Sequence, residues 1–176
     1  MPSQPSLRPF DIAVALRLIL VPEDRYEPLA NALATSTSAV HRAVARLQQA
    51  GLCGAGSRTV NKESLLEFLT HGVRYTFPPI HGPERTGLPT VGAHPALQEA
   101  LGEDAGPRLV WPAEGGAARG EALTPLFTGM TRVAQRDSRM HELLAIVDLL
   151  RVGNPAQREK ASAHLHRKIM GDPSPN

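Results

Sequence analysis

The chain has 176 residues, of which 41% are hydrophobic and 20% charged, and its formal net charge at pH 7 is +2. A chain of this length can bury a core without disulfides or metal, and the single cysteine, Cys53, excludes an internal disulfide and a multi-cysteine zinc site. The longest apolar run, residues 12–21, is interrupted by Arg17 and is too short to span a membrane, and the N-terminal residues lack the pattern of a signal peptide. We therefore expect a cytoplasmic protein with no membrane segment.

Charge is unevenly distributed along the chain. Residues 1–62 contain seven Arg or Lys and four Asp or Glu, and no carboxylate lies between Glu27 and Glu63. The basic residues of that stretch are Arg42, Arg46, Arg58 and Lys62. A surface that faces a polyanion needs this composition because a carboxylate there would repel phosphate. Chance in an Ala/Ser-rich pair of helices would give the same composition.

Residues 9–50 predict three closely spaced helices. The first has Pro9 in its opening turn and ends before Pro22, and the second starts near Arg25. The third is capped by Thr35 or Ser36. Its apolar residues are spaced four and three apart and therefore share one face, which predicts a buried stripe of Val40, Val44 and Leu47.

A short hairpin and a fourth helix are predicted to follow. Leu52-Cys53 and residues 58–60 are expected to form two short strands around a Gly-rich turn. Asn61 is then positioned to cap a helix that Gly72 closes.

The middle of the chain, residues 73–127, predicts a loop-rich segment, because it contains eight of the 16 prolines and eight of the 15 glycines and shows little periodicity. The alternation in residues 73–77 predicts a strand that Pro78 ends. Trp111, flanked by apolar residues, is expected to anchor a core.

Two helices are predicted at the C-terminal end of the chain. Ser138 starts a helix that is apolar nearly all round, and it must therefore be buried in the protein's own core or across a dimer. Asn154 and Gln157 form a capping box at the start of the last helix. The expected fold is mainly α with a small β wing, a loop-rich segment and a C-terminal helical pair.

The segment YEPLANALATSTSAVHRAVARLQQAGLC, followed by GAGSRTV, resembles the winged helix-turn-helix of bacterial transcriptional regulators of the MarR type. The residues HGVRY-F-P at 71–78 also loosely resemble antitoxin and defence-type winged-helix regulators. The resemblance implies a DNA-binding domain at residues 1–72, followed by a region at 73–176 for core, dimerisation or partner binding. Ala34 stands where such modules usually have glycine, at a strain of about 1 kcal/mol if it is left-handed.

The resemblance implies that a recognition helix at about 36–50 enters the major groove and that a wing at about 52–60 lies beside it. The residues predicted to contact DNA are Ser36, Thr37, Ser38, His41, Arg42, Arg46 and Arg58. We expect the hydroxyls to bind phosphates or base edges, His41 and Arg42 to read bases, and Arg46 to meet phosphate. Arg58 is expected in the minor groove or on the backbone.

The sequence predicts no enzyme, catalytic residue, metal site or cofactor. The seven histidines match no compact ligand spacing, and Cys53 is expected to be a buried structural thiol. The predicted function is sequence-specific transcriptional regulation by a protein that binds double-stranded DNA as a homodimer. The alternative is an antitoxin-like or adaptor protein that binds a partner protein through residues 73–176. A third hypothesis is a metal-dependent hydrolase that uses the scattered histidines.

Overall fold

The computed structural model describes Met1, residues 3–22 and residues 25–171. The protein is mainly helical (57%), as the sequence predicts, and it has a small three-stranded sheet. The described residues form α1 (Pro9–Leu20), α2 (Tyr26–Ala32), α3 (Thr37–Gln49), α4 (Lys62–His71), α5 (Val73–Thr76), β1 (His81–Val91), α6 (Pro95–Leu101), a 3₁₀ turn (Gly102–Ala105), β2 (Arg108–Pro112), β3 (Ala118–Leu123), α7 (Met130–Arg136), α8 (Ser138–Val152) and α9 (Pro155–Met170).

The chain forms two compact units, each made of two segments. The first unit is Met1–Leu65 with Leu126–Met140, and the second is Leu66–Pro125 with His141–Asn176. Among the described residues, no helix has both the length and the hydropathy of a membrane span.

In the first unit, α3 packs against both α1 and α2. Helix α1 begins at Pro9, as predicted, because proline lacks the N–H that the first turn of a helix leaves unpaired. The apolar side chains that α1, α2 and α3 bury include Ile12, Leu16, Leu29, Leu33, Val40, Val44 and Leu47. This packing gives α3 one buried face and one face free of the core.

The turn between α2 and α3 contains a strained residue. Ala34 has φ of +52°, the left-handed conformation in which a side chain costs energy that glycine does not. The turn is held by the N–H of Thr35, which donates to the carbonyl of Ala30 at 3.0 Å. Ser36 then caps α3, since its hydroxyl accepts the N–H of Ala39 at 3.2 Å.

The prediction of two strands after α3 is only partly right. Gly51, with φ of +76°, ends the helical region, and a hairpin follows over residues 52–61. The hairpin has a single antiparallel bridge, between Cys53 and Val60, and two flanking backbone hydrogen bonds rather than two strands. Its four-residue turn leaves too few residues for a longer ladder. Asn61 caps α4 as predicted, because its Oδ1 accepts the N–H of Ser64 at 3.1 Å.

In the second unit, β1 is long enough to pair with two strands. Its first half is antiparallel to β3 and its second half antiparallel to β2, while β2 and β3 pair in parallel and close the sheet. Gly87 lies at the change of partner and pairs with both Pro112 and Ala118. A Cβ at Gly87 would lie 2.0 Å from the carbonyl oxygen of Trp111, so only glycine fits there.

The prediction of a strand over residues 73–77 is wrong, since residues 73–76 form the one-turn helix α5. Val73 and Phe77 are four residues apart, a spacing that suits a helical turn as well as it suits alternation. The N–H of Phe77 donates to the carbonyl of Val73 at 2.8 Å, and the next residue, Pro78, stops the helix.

The prediction of a loop-rich segment at residues 73–127 is also wrong, because this segment contains all three strands and α6. Strand β1 could not be predicted from the sequence, because its first half is exposed and shows no apolar alternation. Pro83 lies in an irregularity of the pairing between Gly82 and Glu84, where a strand tolerates a residue without an N–H.

Helix α8 is buried within a single chain. All residues from Leu143 to Leu150 are buried, so the own-core interpretation of this helix is confirmed. Asp148 in α8 accepts hydrogen bonds from Trp111 at 2.7 Å and Thr90 at 3.0 Å, and it pairs with Arg151 at 2.8 Å. Burial raises the pKa of Asp148, and its three donors partly offset that effect. Trp111 is therefore the core anchor that the sequence predicts.

Candidate nucleic-acid interface

The two faces of α3 have opposite character. Val40, Val44 and Leu47 are at most 2% exposed, as predicted, and Ala43 is buried with them. The exposed face consists of short polar, small and basic residues: Thr37, Ser38, His41, Arg42, Ala45 and Gln49. The helix can therefore present these residues to another molecule without disturbing its packing.

The first turn of α3 offers hydroxyls and free backbone donors at the positive end of the helix. Ser36, Thr37 and Ser38 are all exposed, as their predicted role requires. The hydroxyls of Ser36 and Ser38 lie 3.2 Å apart, and the first turn contains no acidic residue. Such an N-terminus attracts anionic oxygens because its N–H groups point outward and the helix dipole is positive there.

His41 and Arg42 project from the next turn of α3. Both side chains are exposed. Within the described part of the chain, Arg42 has no ion-pair partner, and no ring nitrogen of His41 is hydrogen-bonded. Both residues are therefore available to an external ligand.

Arg46 is in a different position from the one predicted. Its guanidinium donates twice to the Asp11 carboxylate, with Nη2 to Oδ1 at 2.7 Å and Nε to Oδ2 at 2.8 Å. The side chains of Arg46 and Asp11 are 17% and 1% exposed. The hydrogen bonds to Asp11 raise the pKa of Arg46 above its ordinary value, although burial opposes them. The ion pair takes Arg46 out of the set of cations free to meet phosphate and joins α3 to α1.

Arg58 and His41 both pack on the ring of Tyr26. The imidazole of His41 stacks on the phenol ring with centroids 3.6 Å apart and planes 20° apart. The Arg58 Cζ lies over the same ring, 4.7 Å from its centroid. Both side chains therefore contact the same phenol ring. We call these three side chains the Tyr26 stack.

The hairpin at residues 52–61 is attached to the end of α3. The carbonyl of Leu47 accepts the N–H groups of Leu52 at 2.9 Å and Cys53 at 3.1 Å. The Gln48 Nε2 donates to the carbonyl of Ser57 at 2.7 Å. These bonds fix the hairpin turn, and with it Arg58, relative to the helix.

Two carboxylates of the first unit form ion pairs within it. This unit has ten Arg or Lys and six Asp or Glu in its sequence. Asp11 is paired with Arg46, and Asp137 accepts Arg17 at 3.0 Å. In the acid-free stretch between Glu27 and Glu63, Arg46 is therefore paired with Asp11, whereas Arg42 and Arg58 have no carboxylate partner within the described residues.

Cys53 is the buried thiol that the sequence predicts. It is 3% exposed, and burial raises its pKa to about 11. The thiol is therefore protonated at neutral pH and is a poor nucleophile.

His94 and His141 of the second unit are packed against each other. His94 and His141 meet edge to face with ring centroids 4.4 Å apart, and His141 Nε2 lies 2.7 Å from the carbonyl of Pro89. Burial lowers the pKa of His141, and it lowers that of His94 to about 4. His164 is buried and His166 exposed, as their spacing predicts. In the described residues, no group of three or more His, Cys, Asp or Glu is arranged to hold a metal ion.

Two residues of the candidate site were missed by sequence reasoning. The pairing of Asp11 with Arg46 could not be predicted from the sequence, because the two residues lie on different helices and no regular spacing relates them. Tyr26 does have a signal in the sequence, since it is the only aromatic Phe, Trp or Tyr in residues 26–60 of a chain with 4% aromatic residues.

Comparisons of the chain with protein-family models, curated proteins and solved structures found no match.

Proposed function

We propose that this protein is a sequence-specific regulator of transcription that binds double-stranded DNA with α3 in the major groove. The observation that carries the proposal is the exposed face of α3, which combines hydroxyls in its first turn with His41 and Arg42 in the next. The buried face of the same helix is held by the core and by the Asp11–Arg46 pair.

The dimensions of α3 suit this role. Its 13 residues span about 20 Å at 1.5 Å per residue, and an α-helix fits a major groove about 12 Å wide. In this arrangement the hydroxyls of the first turn and its free N–H groups bind phosphate. Arg42 can donate two N–H groups of its guanidinium to N7 and O6 of guanine, and His41 can bond a base edge through a ring nitrogen.

Arg58 and Lys62 supply the sequence-independent part of the binding. Arg58 lies in the hairpin, next to the end of α3, and Lys62 is exposed at the start of α4. Their charges attract the backbone and release counterions when DNA binds. We propose that two copies of the protein bind two half-sites about 34 Å apart, as paired recognition helices do.

The test starts from a pool of random DNA duplexes, from which the protein selects its preferred sequence. Affinities for the selected and the random duplexes are then measured by fluorescence anisotropy at several salt concentrations. We expect Arg42→Ala to weaken binding of the selected duplex by about 1–3 kcal/mol and to reduce its advantage over random DNA. Arg58→Ala should weaken both duplexes and lower the salt slope by about one unit.

Arg85→Ala is the matched control, because it removes an equal charge from an exposed residue of β1 in the second unit. It should leave both affinities within about twofold of the unchanged protein, well under the effect of a lost base contact. Failure of the unchanged protein to bind any duplex at low salt would overturn the proposal, as would equal losses from Arg42→Ala and Arg85→Ala.

The alternative, a module that binds a partner protein through residues 73–176, stays a prediction. The large apolar side chains of that region with the greatest exposure are Tyr75 at 70% and Ile80 at 64%. They are the first residues to substitute if a partner is found.

A further inference from the structure

We infer that Tyr26 is a positioning residue for DNA recognition, which holds His41 and Arg58 at a fixed separation through the Tyr26 stack. This inference rests on the proposed function. It assigns a role to a residue of α2, which lies outside the elements that the proposed function places on DNA.

The Tyr26 stack joins three separate pieces of the first unit. Tyr26 is the first residue of α2, His41 lies in the second turn of α3, and Arg58 lies in the hairpin. The phenol ring contacts one side chain by stacking and the other by a cation–π interaction. One ring therefore sets the distance between a residue on the recognition helix and a residue on the hairpin.

Stacking leaves the polar groups of both side chains available. The nitrogens of imidazole lie in the plane of the ring, so a partner on the ring face does not block them. His41 remains exposed in the stack, and Arg58 is half-buried. The guanidinium likewise directs its N–H groups in its own plane, away from the aromatic face.

Ordering these side chains before DNA arrives lowers the entropy cost of binding. A free arginine or histidine side chain would have to be immobilised during recognition, at a cost that lowers affinity. Two side chains held in advance account for about a tenfold gain in affinity. Holding His41 in advance favours the selected sequence, because only there does His41 meet its base, whereas holding Arg58 favours every duplex.

A role in packing alone is the competing explanation, since Tyr26 is half-buried. The two explanations differ in which property of the side chain matters. A packing role needs apolar volume, whereas a positioning role needs the flat ring face. No hydrogen bond of the Tyr26 hydroxyl is present among the described residues, so phenylalanine keeps everything that the positioning role uses.

The experiment compares Tyr26→Phe with Tyr26→Met, which keeps flexible apolar volume but removes the ring face. Anisotropy gives the affinities for the selected and the random duplexes, and circular dichroism gives the melting temperature. We expect Tyr26→Phe to bind like the unchanged protein. Tyr26→Met should lose about tenfold in affinity for the selected duplex and about threefold for the random duplexes, so that the ratio of the two affinities falls about threefold. Tyr75→Met is the matched control, because Tyr75 stacks with Arg74 in the second unit at a comparable 4.4 Å.

A double-mutant cycle provides a readout that a packing role would not change. If Tyr26 acts through His41, the substitution His41→Ala should cost less affinity in the Tyr26→Met background than in the unchanged protein. If Tyr26→Met does not fold, Tyr26→Leu takes its place in the cycle.

Additive losses in this cycle would overturn the inference, and so would an unchanged affinity ratio in Tyr26→Met or an equal loss in Tyr26→Phe. These outcomes leave the proposed function intact, because the unchanged protein would still select a sequence. Absence of DNA binding by the unchanged protein would overturn the proposed function and this inference with it.

Discussion

The left-handed alanine in the turn before α3 predicts that Ala34→Gly stabilises the protein. Ala34 has φ of +52°, where contact between Cβ and the backbone costs about 1–2 kcal/mol. Glycine removes that contact. It also gives the unfolded chain more freedom, which costs about 0.4–1 kcal/mol. The difference is a net gain of about 0.5–1 kcal/mol in the free energy of unfolding.

Urea unfolding followed by far-ultraviolet circular dichroism measures this gain. With a slope of about 2 kcal/mol per molar urea, the midpoint should rise by about 0.3–0.5 M. Ala45→Gly is the matched control, because Ala45 is exposed on α3 and has helical geometry. Glycine there should lower stability by about 1 kcal/mol. The same chemical change is thus expected to have opposite signs at two positions eleven residues apart.

A lower midpoint for Ala34→Gly would refute the reasoning, since it would mean that the methyl group contributes more by packing than its conformation costs. Equal shifts of the same sign at Ala34 and Ala45 would refute it as well, because a general effect of glycine would then explain both. Neither outcome bears on DNA binding, as neither methyl group belongs to the predicted contacts.

Three further predictions concern buried polar groups and the thiol. The pKa of His94 is about 4 in the folded protein, against an ordinary value of 6.5. As the pH falls, the unfolded chain therefore takes up a proton at His94 before the folded protein does. The free energy of unfolding should be highest above pH 6.5 and should fall by up to about 3 kcal/mol as the pH approaches 4. Urea titrations across this range should show that His94→Asn flattens the loss and that the exposed His166→Asn does not. Asp11→Asn leaves the Arg46 guanidinium without its charged partner and should lower the urea midpoint by the equivalent of about 2–3 kcal/mol, whereas an unchanged midpoint would mean that the pair contributes nothing to stability. Cys53 should resist alkylation by iodoacetamide at pH 8 until the protein is unfolded in urea. Mass spectrometry measures the alkylation, and an alkylated native protein would contradict the prediction.

The sequence predicts the helices of this protein well where a periodic apolar stripe coincides with a cap. Helix α3 has its stripe of Val40, Val44 and Leu47, and α9 has a capping box in which Asn154 accepts the N–H of Gln157 at 2.9 Å. Both signals are local. Local signals survive folding because neighbouring residues along a helix remain neighbours in the structure.

The sheet could not be predicted in the same way, because its pattern is set by pairing rather than by alternation. Strand β1 changes partner at Gly87, and its exposed first half carries polar residues on both faces. The register pairs Glu84 with Glu121, two like charges, and each has a neighbouring partner: Arg119 forms an ion pair with Glu84, and His81 Nδ1 lies 2.8 Å from Glu121 Oε1. Strands of this kind can be recognised in the sequence only when their partner strands are known.

The candidate site likewise has features that the sequence predicts and features that it does not. The exposure of Ser36, Thr37, Ser38, His41 and Arg42 follows from helical periodicity alone, and the structure bears it out. The positions of Arg46 and Arg58 depend on residues distant in the sequence. Periodicity can therefore say which side of a helix faces outward, but not which of its cations is already paired.

The unequal positions of Arg42 and Arg46 show how the scaffold selects among similar residues. The two arginines are four apart and so lie on neighbouring positions of α3. Only Arg46 reaches the buried carboxylate of Asp11, which also accepts the N–H of Arg8 at 2.8 Å. A buried ion pair gives little more stability than apolar residues of similar volume would give at the same positions. The pair does define one rotation of α3 about its axis, because Arg46 reaches Asp11 in only one rotation. We infer that this rotation is what the pair contributes, since the rotation of α3 decides which of its residues face outward, among them His41 and Arg42.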